Sequence, residues 1–387
     1  MDATLLTSDG FWDATAPVAA GDFSGELPDA AELWGHVLFA TSGSTGSPQW
    51  IALSKQALLV SATAVNQHLA VGSDSCWGLA LPLHHVGGFG VAARAFAAGC
   101  DLAAYDQAWD APAFGTWLAD HQVTHTALVP TQIYDLVVAG RRAPNSLKAV
   151  VVGGGHLNAA TGQAARALGW PVLVSYGMTE AASQIATQGL DMLDEPYQPA
   201  PLPLLPIWQA ATTAGHQLRI SGPALFSGTV VREHGHWLFQ PRPQPWHQTQ
   251  DLVMLADRWL TPHGRADSLV KVLGELVAPE KIERELVDLS DGQLRPGMFA
   301  VVAVPDARAG QALVPVFDAA IDQAVIAAVL TAYAAQAPGF RRLQDPVRLT
   351  QFPRSALGKP LRVEIAAAAL RNVAIDSRAS GAKLCPE

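Results

Sequence analysis

The segment Phe39-Ala40-Thr41-Ser42-Gly43-Ser44-Thr45-Gly46-Ser47-Pro48 sets two glycines among serines and threonines at the end of an apolar run. Glycines let a backbone approach an anion, and hydroxyls with free N–H groups donate to phosphate oxygens. Read from the residues, a strand enters this loop and a helix follows it. No Gly-Lys-Ser/Thr follows, so it is not a Walker A loop. Neither Gly-x-Gly-x-x-Gly nor Gly-x-Ser-x-Gly occurs, so hydride transfer and serine hydrolysis lose support. Taken alone, a Gly/Ser/Thr loop is more often a flexible turn than a phosphate site. Gly153-Gly154-Gly155 closes a very apolar run, where a flat ring could lie on bare backbone or a strand could simply turn. Thr179-Glu180 has the composition of an ordinary helix N-terminus. His84 and His85 are adjacent on an expected strand, where side chains alternate between faces, so they do not suggest a metal site. His121 and His125 have helical spacing but enter a predicted strand, which argues against zinc.

The elements that must hold these residues follow from periodicity. Apolar runs at 36–40, 79–83, 127–130, 149–152 and 171–174 predict buried strands. A helix is expected from Ser54, a good N-cap, with Leu58, Ala62, Val65 and Leu69 on one face. Strands alternating with helices predict an α/β fold: a large N-terminal domain of layered α/β sheets with a largely parallel sheet. Proline excludes helix or central strand over 196–206. Short β runs at 217–221, 228–232 and 237–240 then predict a β-rich subdomain. Beyond them, a helix at 279–288, strands near 300–304 and 313–317 and a helix at 321–335 predict a small α+β C-terminal domain. The boundary is expected at Ala266–Asp267, giving domains 1–266 and 267–387.

At 387 residues with 49% hydrophobic and 15% charged residues, the chain can bury a sizeable core. Its net charge of −9 and lack of a basic cluster argue against nucleic acid as a partner. Three scattered cysteines fit a reducing compartment, and neither a signal peptide nor a membrane-spanning run is recognisable. A cytoplasmic protein without membrane insertion is expected, and a homo-oligomer is compatible with the sequence.

Five motifs in order give the loop its company: Thr41–Pro48, Tyr176-Gly177-Met178-Thr179-Glu180, Thr249-Gln250-Asp251, Gly264-Arg265-Ala266-Asp267 and Gly358-Lys359. Together they resemble the acyl-adenylate-forming superfamily of acyl- and aryl-CoA synthetases over roughly residues 36–365. Leu81-Pro82-Leu83-His84-His85-Val86-Gly87-Gly88, Met178-Thr179-Glu180-Ala181-Ala182-Ser183-Gln184 and Lys271-Val272-Leu273-Gly274-Glu275 are most similar to the o-succinylbenzoate–CoA ligases within it.

The resemblance implies an ATP- and Mg²⁺-dependent acid–thiol ligase that activates a carboxylic acid as an acyl adenylate and transfers it to coenzyme A. It implies that Thr41, Ser42, Gly43, Ser44, Thr45 and Gly46 cradle pyrophosphate, and that Gly153, Gly154 and Gly155 line the adenine pocket beside Tyr176 and Gly177. Thr179 would bind the α-phosphate and Glu180 would hold the metal. Asp251 would accept from the ribose hydroxyls, Arg265 would contact ribose and phosphate, and Gly274 would leave room for the pantetheine arm. His85 would stand at the acyl pocket. Lys359 would bridge carboxylate and phosphate, arriving and leaving by rotation about Asp267.

Two departures accompany the likeness. Gln49 stands where most relatives carry lysine, and the loop begins near residue 41, where relatives usually place a large N-terminal segment. Part of that subdomain is therefore expected to be missing, and residues 1–35 are expected to supply little of it. Competing readings are a CoA ligase for another acid and a non-catalytic nucleotide-binding relative.

Overall fold

The computed structural model describes residues 2–41, 49–295, 297–306, 309–355, 358 and 360–379, with side chains to residue 372. Two compact units emerge, Met1–Pro262 and His263–Glu387, each with its own apolar core. The division falls inside the strand Trp259–Arg265, slightly before the expected 266/267 boundary.

In the first unit, a six-stranded sheet has the order Asp101–Ala104, Cys76–Leu79, His125–Leu128, Ala149–Val152, Val172–Met178, Ser183–Thr187. The first five strands are parallel and only the last pairing is antiparallel. Val150, Val151 and Val152 are all buried, as a sheet covered on both faces requires. The helix Lys55–His68 starts where the sequence predicts: Ser54 Oγ accepts from Ala57 N at 3.1 Å, and Leu58, Ala62, Val65 and Leu69 are buried.

Four details differ from the sequence reading. The strand expected at 79–83 is Cys76–Leu79, after which the chain turns at Pro82 and enters the helix Val86–Ala98. The strand at 127–130 is His125–Leu128, because Pro130 occupies the first turn of the helix Pro130–Val138, where its missing N–H costs nothing. The Gly/Ser/Thr-rich segment is not followed directly by a helix. His36–Thr41 and Gln49–Ser54 pair antiparallel from His36↔Ser54 to Thr41↔Gln49, so residues 42–48 join two strands. The consecutive buried residues of Gln49–Ser54 hid this strand from an alternation test. Residues 1–35 also contribute more than expected: Leu6, Phe11 and Trp12 enter the core, and Trp12 stacks on Phe96 at 5.2 Å.

The β-rich region divides between two further sheets. Gly228–Glu233 and His236–Pro241 extend the sheet of Val18–Ala19, His36–Thr41 and Gln49–Ser54. The other has the order Leu202–Pro203, Trp259–Arg265, His247–Ala256, Gln217–Ser221, Gln209–Thr212. Leu202–Pro203, from the proline-rich stretch, lies at an edge, where a missing donor is tolerated.

The second unit packs the helices Pro279–Leu289, Gln323–Ala334 and Arg362–Ala379 with a sheet of Phe299–Asp306, Gly310–Asp318 and Val347–Leu349. A hairpin of Val270–Val272 and Glu275–Val277 precedes them. Its two-residue turn places Leu273 at φ +52° and Gly274 at +90°, the left-handed geometry that matches strand twist. Among the described residues, no helix is long and apolar enough to cross a membrane.

Candidate active site

The last parallel strand carries the most informative turn. Val172–Met178 ends in a single 3₁₀ turn, Thr179–Ala181, and the chain reverses into the antiparallel strand Ser183–Thr187. Thr179 and Glu180 therefore do not open an ordinary helix. The reversal is tight: Ala182 and Ser183 have φ of +49° and +101°, and a Cβ on Gly177 would lie 1.6 Å from the Ser183 carbonyl oxygen. Only glycine fits at 177 without opening the strand pair. Phe226 N donates to the Glu180 carbonyl at 2.9 Å, which ties the turn to the segment before Gly228–Glu233. The Thr179 and Glu180 side chains remain half-buried.

Tyr176 and Asp251, from two different motifs and two different sheets, meet here. Tyr176 Oη donates to Asp251 Oδ2 at 2.5 Å, and Asp251 N donates to the buried Thr249 Oγ1 at 3.0 Å. The three glycines after Ala149–Val152 are not equivalent. Gly154 has φ +76°, whereas a Cβ on Gly153 or Gly155 would meet ordinary contact distances of 3.6 Å to Ser175 O and 3.4 Å to Pro130 Cγ. Backbone conformation thus asks for glycine at 154 alone.

His85 is the residue before the helix Val86–Ala98. His84 and His85 do not point to opposite faces as expected for a strand, because they lie in a turn and their rings approach to 4.3 Å. Burial, and then the neighbouring His84, hold the His85 imidazole below its ordinary pKa, which favours the neutral ring. His121 Nδ1 donates to Trp117 O within its helix, and His125 is buried against Thr124 and Leu69. Neither offers a shared metal. Among the described residues, no group of three or more His, Cys, Asp or Glu could hold an ion. Mg²⁺ that arrives with nucleotide phosphates needs no such cluster, since it is commonly bound by one or two carboxylates plus substrate oxygens.

Thr41 ends its strand with Oγ1 donating to Gln49 O at 3.2 Å. Ser42, Gly43, Ser44, Thr45, Gly46 and Lys359 lie outside the described residues. In the second unit, Arg265 donates from Nε and Nη2 to the two oxygens of Asp267 at 2.8 and 2.6 Å. Ser268 donates to Glu280 Oε2 at 2.9 Å, in the same turn. Gly274 lines an open groove of ≈ 900 Å³ together with Asp267, Lys271 and Gly310.

Sequence reasoning missed two polar features. One is the Tyr176–Asp251 bond, which no local pattern encodes. The other is Arg94, a charged residue inside the apolar helix Val86–Ala98 that is 2% exposed. A lone arginine in a run of Gly, Ala, Val and Phe was the available signal.

Residues 35–213 match the family model for AMP-binding enzymes. The 2-succinylbenzoate–CoA ligase of Escherichia coli (strain K12) is 30% identical over 270 residues, 68% of this chain and 54% of that protein. The 2-succinylbenzoate–CoA ligase of Enterococcus faecalis (strain ATCC 700802 / V583) is 26% identical over 336 residues, 82% of this chain and 66% of that protein. The chain spans about half the length of some curated relatives it matches. Among solved structures, o-succinylbenzoate CoA synthetase (MenE) from Bacillus subtilis, in complex with its acyl-adenylate intermediate, superposes with a TM-score of 0.71. That likeness has 23% identity and covers 85% of this chain and 68% of the other, so it speaks to the fold. ATP-bound MatB from Rhodopseudomonas palustris gives a TM-score of 0.70 at 23% identity, covering 88% and 68%. The likeness to the adenylate-forming enzymes, and to the succinylbenzoate ligases among them, therefore holds in sequence and in fold.

Proposed function

We propose that this chain, a relative of the adenylate-forming 2-succinylbenzoate–CoA ligases, joins o-succinylbenzoate to coenzyme A through an acyl adenylate. In the first step a carboxylate oxygen attacks the α-phosphorus of ATP and the bond to pyrophosphate breaks. In the second, the coenzyme A sulfur attacks the acyl carbon, AMP leaves and the thiol gives up its proton. Charge gathers on phosphate oxygens in the first step, so aligned donors and cations matter more than an acid or base.

The observation that carries this reading is the Tyr176–Asp251 hydrogen bond immediately before the Thr179–Glu180 turn. It draws a carboxylate suited to a ribose diol beside a hydroxyl and a carboxylate suited to an α-phosphate and its Mg²⁺. Bound Mg²⁺ would neutralise phosphate charge, with Glu180 as its protein ligand. Thr41 and the 42–46 segment would cradle pyrophosphate, Gly153–Gly155 would flank adenine beside Gly177, and the neutral His85 would stand at the acyl group. Arg265, Gly274 and Lys359 would act from the C-terminal domain, which pivots at Asp267: Lys359 serves adenylation, and Gly274 borders the path of the thiol. The work is expected in the cytoplasm, where ATP and coenzyme A are available.

A ligase for another carboxylic acid, which the same AMP-binding motifs would serve, is the second reading. Pyrophosphate release measured across a panel of aromatic, aliphatic and dicarboxylic acids tests the choice. Selective release with o-succinylbenzoate supports the leading reading. Release with a different acid favours the second, and release with none leaves only nucleotide binding.

A further inference from the structure

Two adjacent residues tie the elements of the candidate site together. Phe226 N donates to the Glu180 carbonyl at 2.9 Å, and Ser227 N donates to the Ala52 carbonyl at 2.8 Å. The Ser227 hydroxyl and His36 Nε2 share a hydrogen bond of 2.8 Å. Phe226–Ser227 therefore joins the Thr179–Ala181 turn to both strands of the first hairpin, His36–Thr41 and Gln49–Ser54. A shift of this crosspiece would alter the spacing between the turn and those strands.

One residue holds both carbonyls of the crosspiece. Arg242 N donates to Ser227 O at 2.8 Å and Arg242 Nε to Phe226 O at 2.9 Å, while Nη1 donates to Gln244 O. The guanidinium also rests on the Phe226 ring at 5.7 Å, and the His247 ring meets Phe226 nearly at right angles, centroids 5.0 Å apart. Burial, and then Arg242, push the His247 imidazole down to about 4, so it packs there as a neutral ring. Arg242 has no carboxylate beside it, and burial alone lowers its pKa. A half-buried cation without a counter-ion is a costly brace if stability is the only gain. Its rigid planar fork is suited instead to fixing a carbonyl in one place.

We infer that Arg242 is a positioning residue for adenylation: by fixing Phe226–Ser227 it sets the spacing between Glu180 and Thr41. These are the residues that the proposed function places on the metal and on pyrophosphate. The inference rests on that reading and gives a part to a residue the reading leaves without one. It requires a selective effect, because metal and pyrophosphate belong to adenylation and not to attack of the thiol on the acyl carbon.

The test compares wild type, Arg242→Gln, Arg242→Lys and Glu180→Gln in two measurements: calorimetric binding of ATP with and without Mg²⁺, and the two half-reactions assayed separately. Arg242→Gln is expected to cut the gain in ATP affinity that Mg²⁺ confers about tenfold, the fold-change of one lost hydrogen bond from a charged donor, and to slow adenylation similarly. Conversion of a supplied acyl adenylate to thioester should stay within about twofold, and Arg242→Lys, with one donor group in place of the fork, should recover part of the loss. Equal slowing of both half-reactions, or a lowered Tm with the Mg²⁺-dependent gain unmoved, would overturn the inference. Should Arg242→Gln not fold, Arg242→Lys and Ser227→Ala, which removes the contact to His36, decide: adenylation slowed alone supports the inference, and both steps slowed alike overturns it. A wild type that forms no acyl adenylate, or a Glu180→Gln variant that keeps the full Mg²⁺-dependent gain, fails the underlying reading and the inference with it. That result is distinct from a Glu180→Gln variant that loses the gain while both Arg242 variants keep it, which overturns the inference alone.

Discussion

Replacing Tyr176 by phenylalanine removes one hydroxyl and leaves the ring. The hydroxyl donates to Asp251 Oδ2 at 2.5 Å, and hydrogen bonds to a charged partner contribute about 1.5–3 kcal/mol. If Asp251 accepts from the ribose hydroxyls, its orientation depends on this bond, and Tyr176→Phe loses that amount from nucleotide binding. At about 1.4 kcal/mol per tenfold, KM for ATP should rise about ten- to hundredfold while KM for the acid stays near its original value. Asp251→Ala should lose at least as much. The double variant should be little worse than Asp251→Ala alone, because the two groups act as a unit. Steady-state kinetics with ATP and acid varied separately, alongside thermal unfolding, provide the assay. Additive losses in the double variant, or a drop in Tm with KM for ATP unmoved, would refute the reasoning, since the bond would then serve folding alone.

Other expectations follow from the same geometry. Gly177→Ala should destabilise the first unit by several kcal/mol and abolish adenylation, because its Cβ would meet the Ser183 oxygen at 1.6 Å; thermal unfolding and pyrophosphate release check both. Burial depresses the His125 pKa to about 4, below the ordinary 6.5, so protonation favours the unfolded chain; stability is complete above about pH 6.5 and falls by up to about 3 kcal/mol as pH drops towards 4, and His125→Phe should flatten that slope in urea titrations. Glu283 accepts Arg362 Nη1 and Nη2 at 2.7 and 2.6 Å and Val301 N at 2.6 Å; Glu283→Gln should cost the second unit about 2 kcal/mol, less than a fully buried pair because the Arg362 side chain is 31% exposed. Lys359→Ala should lose adenylate formation but still convert a supplied acyl adenylate to thioester. Asp267→Pro should do the reverse, since Asp267 lies in a 3₁₀ turn whose φ proline would lock. Separate assays of the two half-reactions read both outcomes.

The sequence was most legible where one residue type has one physical meaning. The Ser54 cap, the valines of 150–152 and the proline-rich edge each forced a local structure that the fold retains. It was least legible where long-range pairing decides. Gln49–Ser54 became a strand through its partner 36–41, and Gly228–Glu233 joined that sheet from nearly two hundred residues away, neither of which periodicity reports. The site shows the same division. Thr179, Glu180, Asp251 and Arg265 stood out as members of ordered motifs, whereas the Tyr176–Asp251 contact exists only after two sheets meet.

Incubation of the protein with o-succinylbenzoate, Mg²⁺-ATP and coenzyme A, followed by mass spectrometry of the products, tests the central claim most directly. The account predicts the succinylbenzoyl-CoA thioester and AMP in equal amounts, with the acyl adenylate accumulating when coenzyme A is omitted. Formation of ADP in place of AMP, or absence of both adenylate and thioester while ATP binds, would contradict it.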